Sequence, residues 1–325
     1  MENKVLLSIL IPTYNGASSF LEKSLACLLP AVEPFGGEVE VIVSDNCSTD
    51  STSDLLKSFC NYSCLRVYRN NENLGFNTNM KLLIDKYSTG QYSWMIGDDD
   101  IIFPNALSFI YQQLKKGMYD YISVKHKDIT EDEAKYLTVP VNVHYSVHES
   151  NFGYAIDINS QMGNTLGSFM SSNICRTEMC RKVPKERIVN AFDNFVTIFP
   201  NAYITVTAFS KAKCCYIPET SLYAVNNFKA WQTEENAYLI MSNALVDLYS
   251  YYIEMGVSAK SLQRNYKRIL FLNLYTGCAR LIKRKRVAPF FFKAILASYK
   301  YPSIFFKVLK ALVFRFHGHS VSYND

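Results

Sequence analysis

Short apolar runs alternate with amphipathic stretches through the first 125 residues. Val5 to Ile11 is apolar at every position but Ser8, the pattern of a strand buried on both faces, and Pro12-Thr13-Tyr14-Asn15-Gly16 leaves it as a loop. Phe20 to Leu29 has helical spacing. Val39 to Ser44 predicts a second strand ending in Asp45-Asn46-Cys47-Ser48-Thr49-Asp50, where Asp50 or Ser51 can cap a helix running to Phe59. Leu65 to Tyr68 predicts a third strand, Gly75 to Tyr87 a helix, Tyr92 to Ile96 a fourth strand and Tyr119 to Val124 a fifth. Strand and helix alternating at this spacing imply an α/β fold with a mostly parallel sheet covered on both faces. Ligands of such sheets gather beyond the carboxyl ends of the strands. Three of those ends are unusually polar: Thr13-Tyr14-Asn15, Asp45-Asn46 and Asp98-Asp99-Asp100.

The pattern then changes. Residues 126 to 165 are polar and weakly periodic, an expected excursion over the site, before Gly167 to Cys175 returns as a strand. Phe192 to Phe209 reads as helical segments broken at Pro200, and Cys214 to Ile217 and Leu222 to Val225 as two further strands. Helical spacing dominates afterwards, over Glu234 to Tyr252, Ala259 to Lys283 and shorter pieces beginning near Pro289 and Pro302. The expected division is an α/β region over 1–230, itself in two halves (1–125 and 126–230), followed by a helical region over 231–325.

Charge sharpens that division. The net charge of +5 is the sum of a tail from Gly256 to Asp325 at +13 and a body of 255 residues at −8. Between Gly256 and Asn324 there are 14 Lys or Arg and no acidic residue, so tail and body are built for different surroundings. Phe290 to Phe316 mixes Phe, Leu, Ile and Val with Lys293, Lys300 and Lys307, spaced seven apart, although Pro302 interrupts the register. Lys283-Arg284-Lys285-Arg286 stands just before it. No segment reaches the about 20 uninterrupted apolar residues that span a bilayer. A basic amphipathic segment instead suits an anionic membrane surface, and the alternative is a helical pair packed on the body with solvated lysines. Nucleic acid is not expected, because no reading module accompanies the charge. Nine cysteines without a C-x-x-C pair, and an apolar strand starting at Val5 with no secretory leader before it, fit reduced thiols in a cytoplasmic setting. His144 and His148 lie four apart without helical signals, so no zinc site is expected there.

Asp98-Asp99-Asp100 is the sharpest chemical signal. Three adjacent carboxylates at a strand end repel one another, and a divalent cation relieves that repulsion. Mg²⁺ in particular is held by one or two carboxylates together with substrate phosphates. The run therefore marks where a metal and a phosphorylated donor would meet.

Four segments carry a family resemblance. Leu7-Ser8-Ile9-Leu10-Ile11-Pro12-Thr13-Tyr14-Asn15 resembles the opening strand of family 2 glycosyltransferases of the GT-A fold, a Rossmann-like nucleotide-diphospho-sugar transferase architecture. Val41 to Asp50 resembles their second strand and its Asp-(Asn/Asp)-x-Ser-x-Asp ending. Asn73-Leu74-Gly75-Phe76-Asn77-Thr78-Asn79 resembles the N-x-G-x-x-x-N helix start, and Gly97-Asp98-Asp99-Asp100 the D-x-D metal motif. The likeness is good over residues 5 to 125 and looser over 165 to 225. Within the family the chain looks most like bacterial O-antigen transferases of the abequosyltransferase kind, on Gly97 to Asp100, Ser168 to Arg176 and Ile198 to Tyr203.

The resemblance implies an inverting transfer of a sugar, a deoxy- or dideoxyhexose such as abequose, in lipopolysaccharide assembly. Its donor would be a nucleotide sugar, CDP-linked in preference to UDP or dTDP. Its acceptor would be an undecaprenyl-diphosphate-linked oligosaccharide on the cytoplasmic face of the bacterial inner membrane. Pro12, Thr13, Tyr14, Asn15, Asp45 and Asn46 would line the nucleotide pocket, Gly75 and Asn79 would shape a phosphate- or ribose-binding helix start, Asp98 and Asp99 would meet the donor with Asp98 near the ribose, and Mn²⁺ or Mg²⁺ would sit on Asp98 and Asp100. Asp99 could replace either, because the run permits two registers. The general base departs from the family's Glu-Asp pair; here the matching region is Ala191-Phe192-Asp193-Asn194, which leaves Asp193 as the candidate and a helix cap before Phe195 as its alternative. Physically, Asp45 can accept hydrogen bonds from a base edge or form an Asx turn, and the free N–H groups at Gly75 suit an anion. A nucleotidyltransferase and a catalytically inactive sugar-nucleotide-binding scaffold stay open as other readings. A dinucleotide oxidoreductase lacks its G-x-G-x-x-G loop.

Overall fold

The computed structural model describes residues 4–153, 169–191, 194–225, 244–257, 260–283, 287 and 290–316. In chain order the elements are β1 (Leu7–Thr13), α1 (Leu21–Val32), β2 (Val39–Asp45), α2 (Thr52–Ser58), β3 (Leu65–Arg69), α3 (Phe76–Leu82), β4 (Tyr92–Met95), β5 (Ile101–Ile102) and α4 (Pro104–Lys115). There follow β6 (Tyr121–Ile129), α5 (Glu131–Lys135), β7 (His148–Ser150), β8 (Asn173–Arg176), α6 (Thr177–Arg181), α7 (Phe195–Ile198), α8 (Pro200–Phe209) and β9 (Cys214–Val225). Four helices close the described chain: α9 (Leu245–Glu254), α10 (Lys260–Ile282), α11 (Phe290–Ser298) and α12 (Ser303–Phe316). They form two compact units, Met1–Asn190 with Pro200–Asn227, and Ala191–Phe199 with Phe228–Asp325.

The first unit is built on one sheet in the order β3-β2-β1-β4-β8-β6-β9-β5, with β7 paired to β9. β3, β2, β1 and β4 run parallel, β8 is antiparallel to both β4 and β6, and β9 runs parallel to β6. The expected mostly parallel α/β sheet is therefore present. Every residue of β1 and β2 is buried, as expected of strands covered on two faces, and the polar Glu40, Ser44 and Asp45 of β2 are buried with hydrogen-bond partners. Leu7, Ile9 and Ile11 belong to a core shared with α1 (Leu21, Leu25, Leu28) and α4 (Leu107, Ile110). Register places Thr13 opposite Asp45, and Asp45 opposite Arg69, so three strand ends present polar residues side by side.

Several elements differ from expectation. The two strands expected between Cys214 and Val225 are one continuous strand, whose pairing with β6 shifts around Lys125. β6 runs on to Ile129 although Lys125-His126-Lys127-Asp128 has no strand pattern; ladder hydrogen bonds to Thr220–Ala224 hold it extended. The helix expected to Tyr87 ends as α-helix at Leu82 and continues as a π turn, Leu83–Tyr87. The short strands β5 and β7 exist only as partners of β9. Most of the 126–165 excursion's second half, and the start of the expected 234–252 helix, lie outside the described residues.

In the second unit α10 packs against α9, α11 and α12. Phe291 of α11 lies on Gly277 of α10 so closely that a methyl group there would fall 2.1 Å from its ring. Tyr301, between α11 and α12, donates to Gln263 (3.2 Å) and lies under Lys267 (4.9 Å), which ties that corner back to α10.

Candidate active site

The loops after β1 and β2 are stitched to each other. Asn15 adopts φ 57°, in the left-handed region that Asn tolerates, and from there its N–H donates to Ser48 Oγ (2.8 Å) while its Oδ1 accepts from Thr49 N–H (2.8 Å). Asn46 N–H donates to the Thr13 carbonyl (2.9 Å). Thr13 Oγ1 in turn donates to Asp98 Oδ2 (2.6 Å), so the first strand end touches the acidic turn directly. A side chain at Gly16 would put its Cβ 2.3 Å from Thr13 Oγ1 and 3.1 Å from Asp98 Oδ2, and would force that pair apart. Tyr14 alone projects from the loop, its ring about half exposed.

Asp45 is fully buried. Its Oδ1 accepts from Ser48 N–H (2.9 Å) and Ser48 Oγ (2.5 Å), and its Oδ2 pairs with Arg69. Arg69 also donates to Ser53 Oγ (2.7 Å) and the Ser48 carbonyl (2.8 Å). Asp45 thus forms the local turn and an ion pair together. The pair borders a cavity of about 400 Å³ lined by Asp45, Ser53, Leu56, Lys57, Leu65 and Arg69. That is within the size range of small-ligand pockets, about 300–1,000 Å³.

Three of the expected ligand-site residues make contacts within the scaffold. Asn46 Oδ1 accepts from Asn70 Nδ2 (2.9 Å) and Leu74 N–H (3.0 Å), and its Nδ2 donates to Asn73 (2.8 Å). Asn79 is buried, accepts from Ser44 Oγ (2.6 Å) and donates to the Ser44 carbonyl (2.9 Å). Gly75 has φ 74°, and a Cβ there would lie 2.4 Å from the Asn190 side chain. Asn190 fills the start of α3: its Oδ1 accepts from Asn77 N–H (3.1 Å) and its Nδ2 donates to Thr78 Oγ1 (3.0 Å) and to the Leu74 carbonyl. The helix start expected to receive a phosphate or ribose oxygen is capped from within the protein. A short polar side chain arriving from 113 residues away could not be read from the local motif.

The acidic turn carries the unresolved charge. Gly97 N–H donates to Asp100 Oδ2 (3.1 Å) and Ser171 Oγ (3.0 Å), and Ser171 Oγ also donates to Asp100 Oδ2. Asp100 is thereby buried and turned inward, with its carbonyl accepting from Ser24 Oγ (2.7 Å). Asp98 accepts from Thr13. Among the described residues the Asp99 carboxylate is answered only by its own backbone amide. Burial pushes all three carboxyls above their ordinary range. Asp99 is raised further by the charges of Asp100 and Asp98, and Asp100 by Asp98 and by Asp128 from the end of β6. Ionising all three carboxyls together is therefore costly in the folded protein, and a bound cation would offset that cost.

The comparisons with known proteins meet these observations. A family model described as glycosyl transferase family 2 matches residues 8–183, more than half of the chain and the whole of the loops just described. The chain belongs to glycosyl transferase family 2. Its GT-A-type fold and its place among glycosyltransferases are as the sequence led one to expect. Abequosyltransferase RfbV of Salmonella typhimurium is 33% identical over 112 residues, 34% of this chain and 33% of that protein. Glycosyltransferase GlyG of Streptococcus pneumoniae is 22% identical over 144 residues, 44% of this chain and 46% of that protein. The chain thus spans a third to under a half of these curated relatives' length. Among solved structures, S. aureus TarS 1-349 in complex with UDP superposes with TM-score 0.57 at 17% identity, covering 98% of this chain and 93% of that one. Mannosyltransferase PcManGT of Pyrobaculum calidifontis, in complex with GDP-Man and Mn²⁺, superposes with TM-score 0.52 at 14% identity, covering 94% and 79%. At such identities the likeness is one of fold.

Within the family 2 frame, the structure adds residues that the sequence did not single out. Arg69 could have been found from its position at the end of β3. Ser171 and His126 carry no local signal: they reach the turn's surroundings because β8 and β6 are neighbours, with His126 Nδ1 2.8 Å from Ser172 Oγ. Asp193 lies outside the described residues. Its alternative role is filled by a neighbour, since Asn194 caps α7 by accepting from Val196 N–H (2.9 Å) and Thr197 N–H (3.3 Å).

Proposed function

We propose that this chain transfers a sugar from a nucleotide donor, with Mg²⁺ or Mn²⁺ at the Asp98–Asp100 turn, to a lipid-linked oligosaccharide at the cytoplasmic membrane face. The observation that carries the reading is the turn itself. It crowds three mutually repelling carboxylates, Asp100 buried and Asp98 and Asp99 partly buried, pinned to the end of β1 by Thr13, and among the described residues Asp99 is answered only by its own amide. No cluster of three or more His, Cys, Asp or Glu residues suited to a metal converges among the described residues. One or two carboxylates completed by substrate phosphates and water is the donor set expected for Mg²⁺, so the residues fit the ion.

Asp99, with Asp98, is then the better holder of the metal, because Asp100 is spent on Gly97 and Ser171. A bound dication supplies charge neutralisation for the nucleoside diphosphate that leaves as the C1–O bond breaks. The chain's own residues do the rest. Thr13 and the Asn15–Ser48 stitch hold the donor loops against the turn, Tyr14 offers a ring for stacking, and the Asp45–Arg69 pair presents charge beside the cavity. Asp193 is the candidate general base for the acceptor hydroxyl in a reaction with an oxocarbenium-like transition state. The match to an abequosyltransferase favours a deoxy- or dideoxyhexose donor, CDP-linked before UDP or dTDP. The basic helices favour a peripheral site on an anionic membrane.

The deciding experiment is thermal stabilisation by CDP, UDP, GDP and dTDP, each with and without metal. A nucleotide at about 100 times its dissociation constant adds about 2.7 kcal/mol. We expect a metal-dependent shift with one nucleotide, lost in Asp99→Asn. No shift with any of the four in folded protein would turn the reading to an inactive scaffold.

A further inference from the structure

The second unit presents an apolar surface in the most basic part of the chain. On α12 the buried stripe is Ile304, Val308 and Ala311, the i, i+4, i+7 spacing of a face packed on α10. On α11 it is Phe291, Ala294 and Ser298. The opposite face of a helix packed on one side is normally polar. Here those faces carry Phe292, Leu296 and Tyr299 on and just after α11, and Phe306, Leu309 and Val313 on α12, each more than half exposed. With Leu281 and Ile282, residues 281–313 supply eight of the sixteen exposed large apolar side chains among the described residues. Scattered exposed apolar groups need no explanation, but a concentration of this kind marks an interaction surface.

Charge selects the partner. Nine Lys or Arg fall between Leu281 and Phe316 and no acidic residue does, so a second copy of this face would meet its own charge. No helix among the described residues is long and apolar enough to cross a membrane. Exposed large apolar groups in a stretch of sequence rich in Lys and Arg, on helices too short to span, suit the interface of a bilayer with anionic headgroups. Rings and branched chains enter the acyl boundary while lysines snorkel to the phosphates. We propose that the outward face of α11 and α12 docks the protein on an anionic phospholipid surface by shallow insertion of Phe292, Leu296, Tyr299, Phe306, Leu309 and Val313. This rests on the membrane-facing part of the proposed function and names the surface responsible.

The test is flotation of the full chain with vesicles of phosphatidylcholine, with and without about 30% phosphatidylglycerol. Expected is flotation with the anionic vesicles only, weakened by salt, and at least about tenfold weaker partition for Phe306→Asp/Leu309→Asp and, separately, for Leu296→Asp. Exposed positions should leave the melting temperature and the metal-dependent nucleotide shift as in wild type, so loss of docking is separable from loss of the transferase reading. Equal flotation with neutral vesicles, or flotation untouched by both variants, overturns the proposal. So does a dimer in light scattering that the same substitutions dissolve, since the face would then belong to a second copy.

Discussion

The sheet buries carboxylates at both of its ends, with opposite outcomes. At the amino end Glu40 of β2 accepts from Ser8 Oγ (2.5 Å), Thr89 N–H (2.9 Å), Thr89 Oγ1 (2.7 Å) and Arg66 (2.8 Å). Burial opposes its ionisation, yet those donors outweigh it and hold the carboxyl below its ordinary value of about 4.5. At the carboxyl end Asp100 is buried and Asp98 and Asp99 are partly buried, each carboxyl has fewer donors than Glu40 has, and all three are raised. Hydrogen-bond supply and like charge decide the difference: Glu40 has four donors and no acidic neighbour raising it, whereas Asp99 and Asp100 are raised by adjacent carboxylates. One end spends its carboxylate on the fold, and the other keeps charge available for a ligand.

Replacing Asp99 tests that contrast most severely. Asp99→Asn should lower transfer by about 10²–10³-fold, the loss typical of removing one electrostatic stabiliser. It should also raise the melting temperature in metal-free buffer at neutral pH. The sign follows from the shift: a carboxyl raised in the folded state costs stability wherever it is ionised, and the cost is absent below its unfolded value of about 3.8. The gain should therefore fade as pH approaches 3.8. A variant that is inactive and less stable would contradict the division of labour.

Asp193→Asn should abolish most turnover, by about 10²–10⁴-fold, while nucleotide-induced stabilisation is unchanged. Near-normal turnover would remove Asp193 from the mechanism. Glu40→Gln should do the reverse, lowering stability by about 2 kcal/mol, through loss of charge-assisted hydrogen bonds, with nucleotide binding intact. Its folded value lies below 4.5, so the wild-type advantage is fully present above 4.5 and should disappear as pH falls through that lower value. Parallel wild-type and variant melting curves down to pH 3 would deny Glu40 that role. The smallest expected effect is that of Asn190→Ala, about 1 kcal/mol for a lost helix cap. It sharpens the comparison because it is a structural loss at the functional end. A large fall in nucleotide affinity with unchanged stability would return the α3 start to the binding site.

How much was legible follows from the range of each interaction. β1, β2 and β4 were readable because strands buried on both faces need continuous apolar runs, and those runs are local. The acidic turn was readable because three adjacent aspartates are costly in any fold. β6 beyond Val124, β5 and β7 were not, because their extended shape comes from ladder bonds to β9, far away in sequence. The contact at the helix start near Gly75 was hidden for the same reason: the motif shows free N–H groups, and only folding brings Asn190 onto that of Asn77. By itself the sequence determined the alternating α/β plan, the acidic strand end and the segregation of basic charge to the tail. The tertiary structure decided which carboxylates receive donors, which are left repelling one another, and that α11 and α12 turn an apolar face outward. Local pattern sets backbone preference and total charge, whereas the balance of donors, burial and exposure at a given side chain depends on neighbours that only the fold supplies.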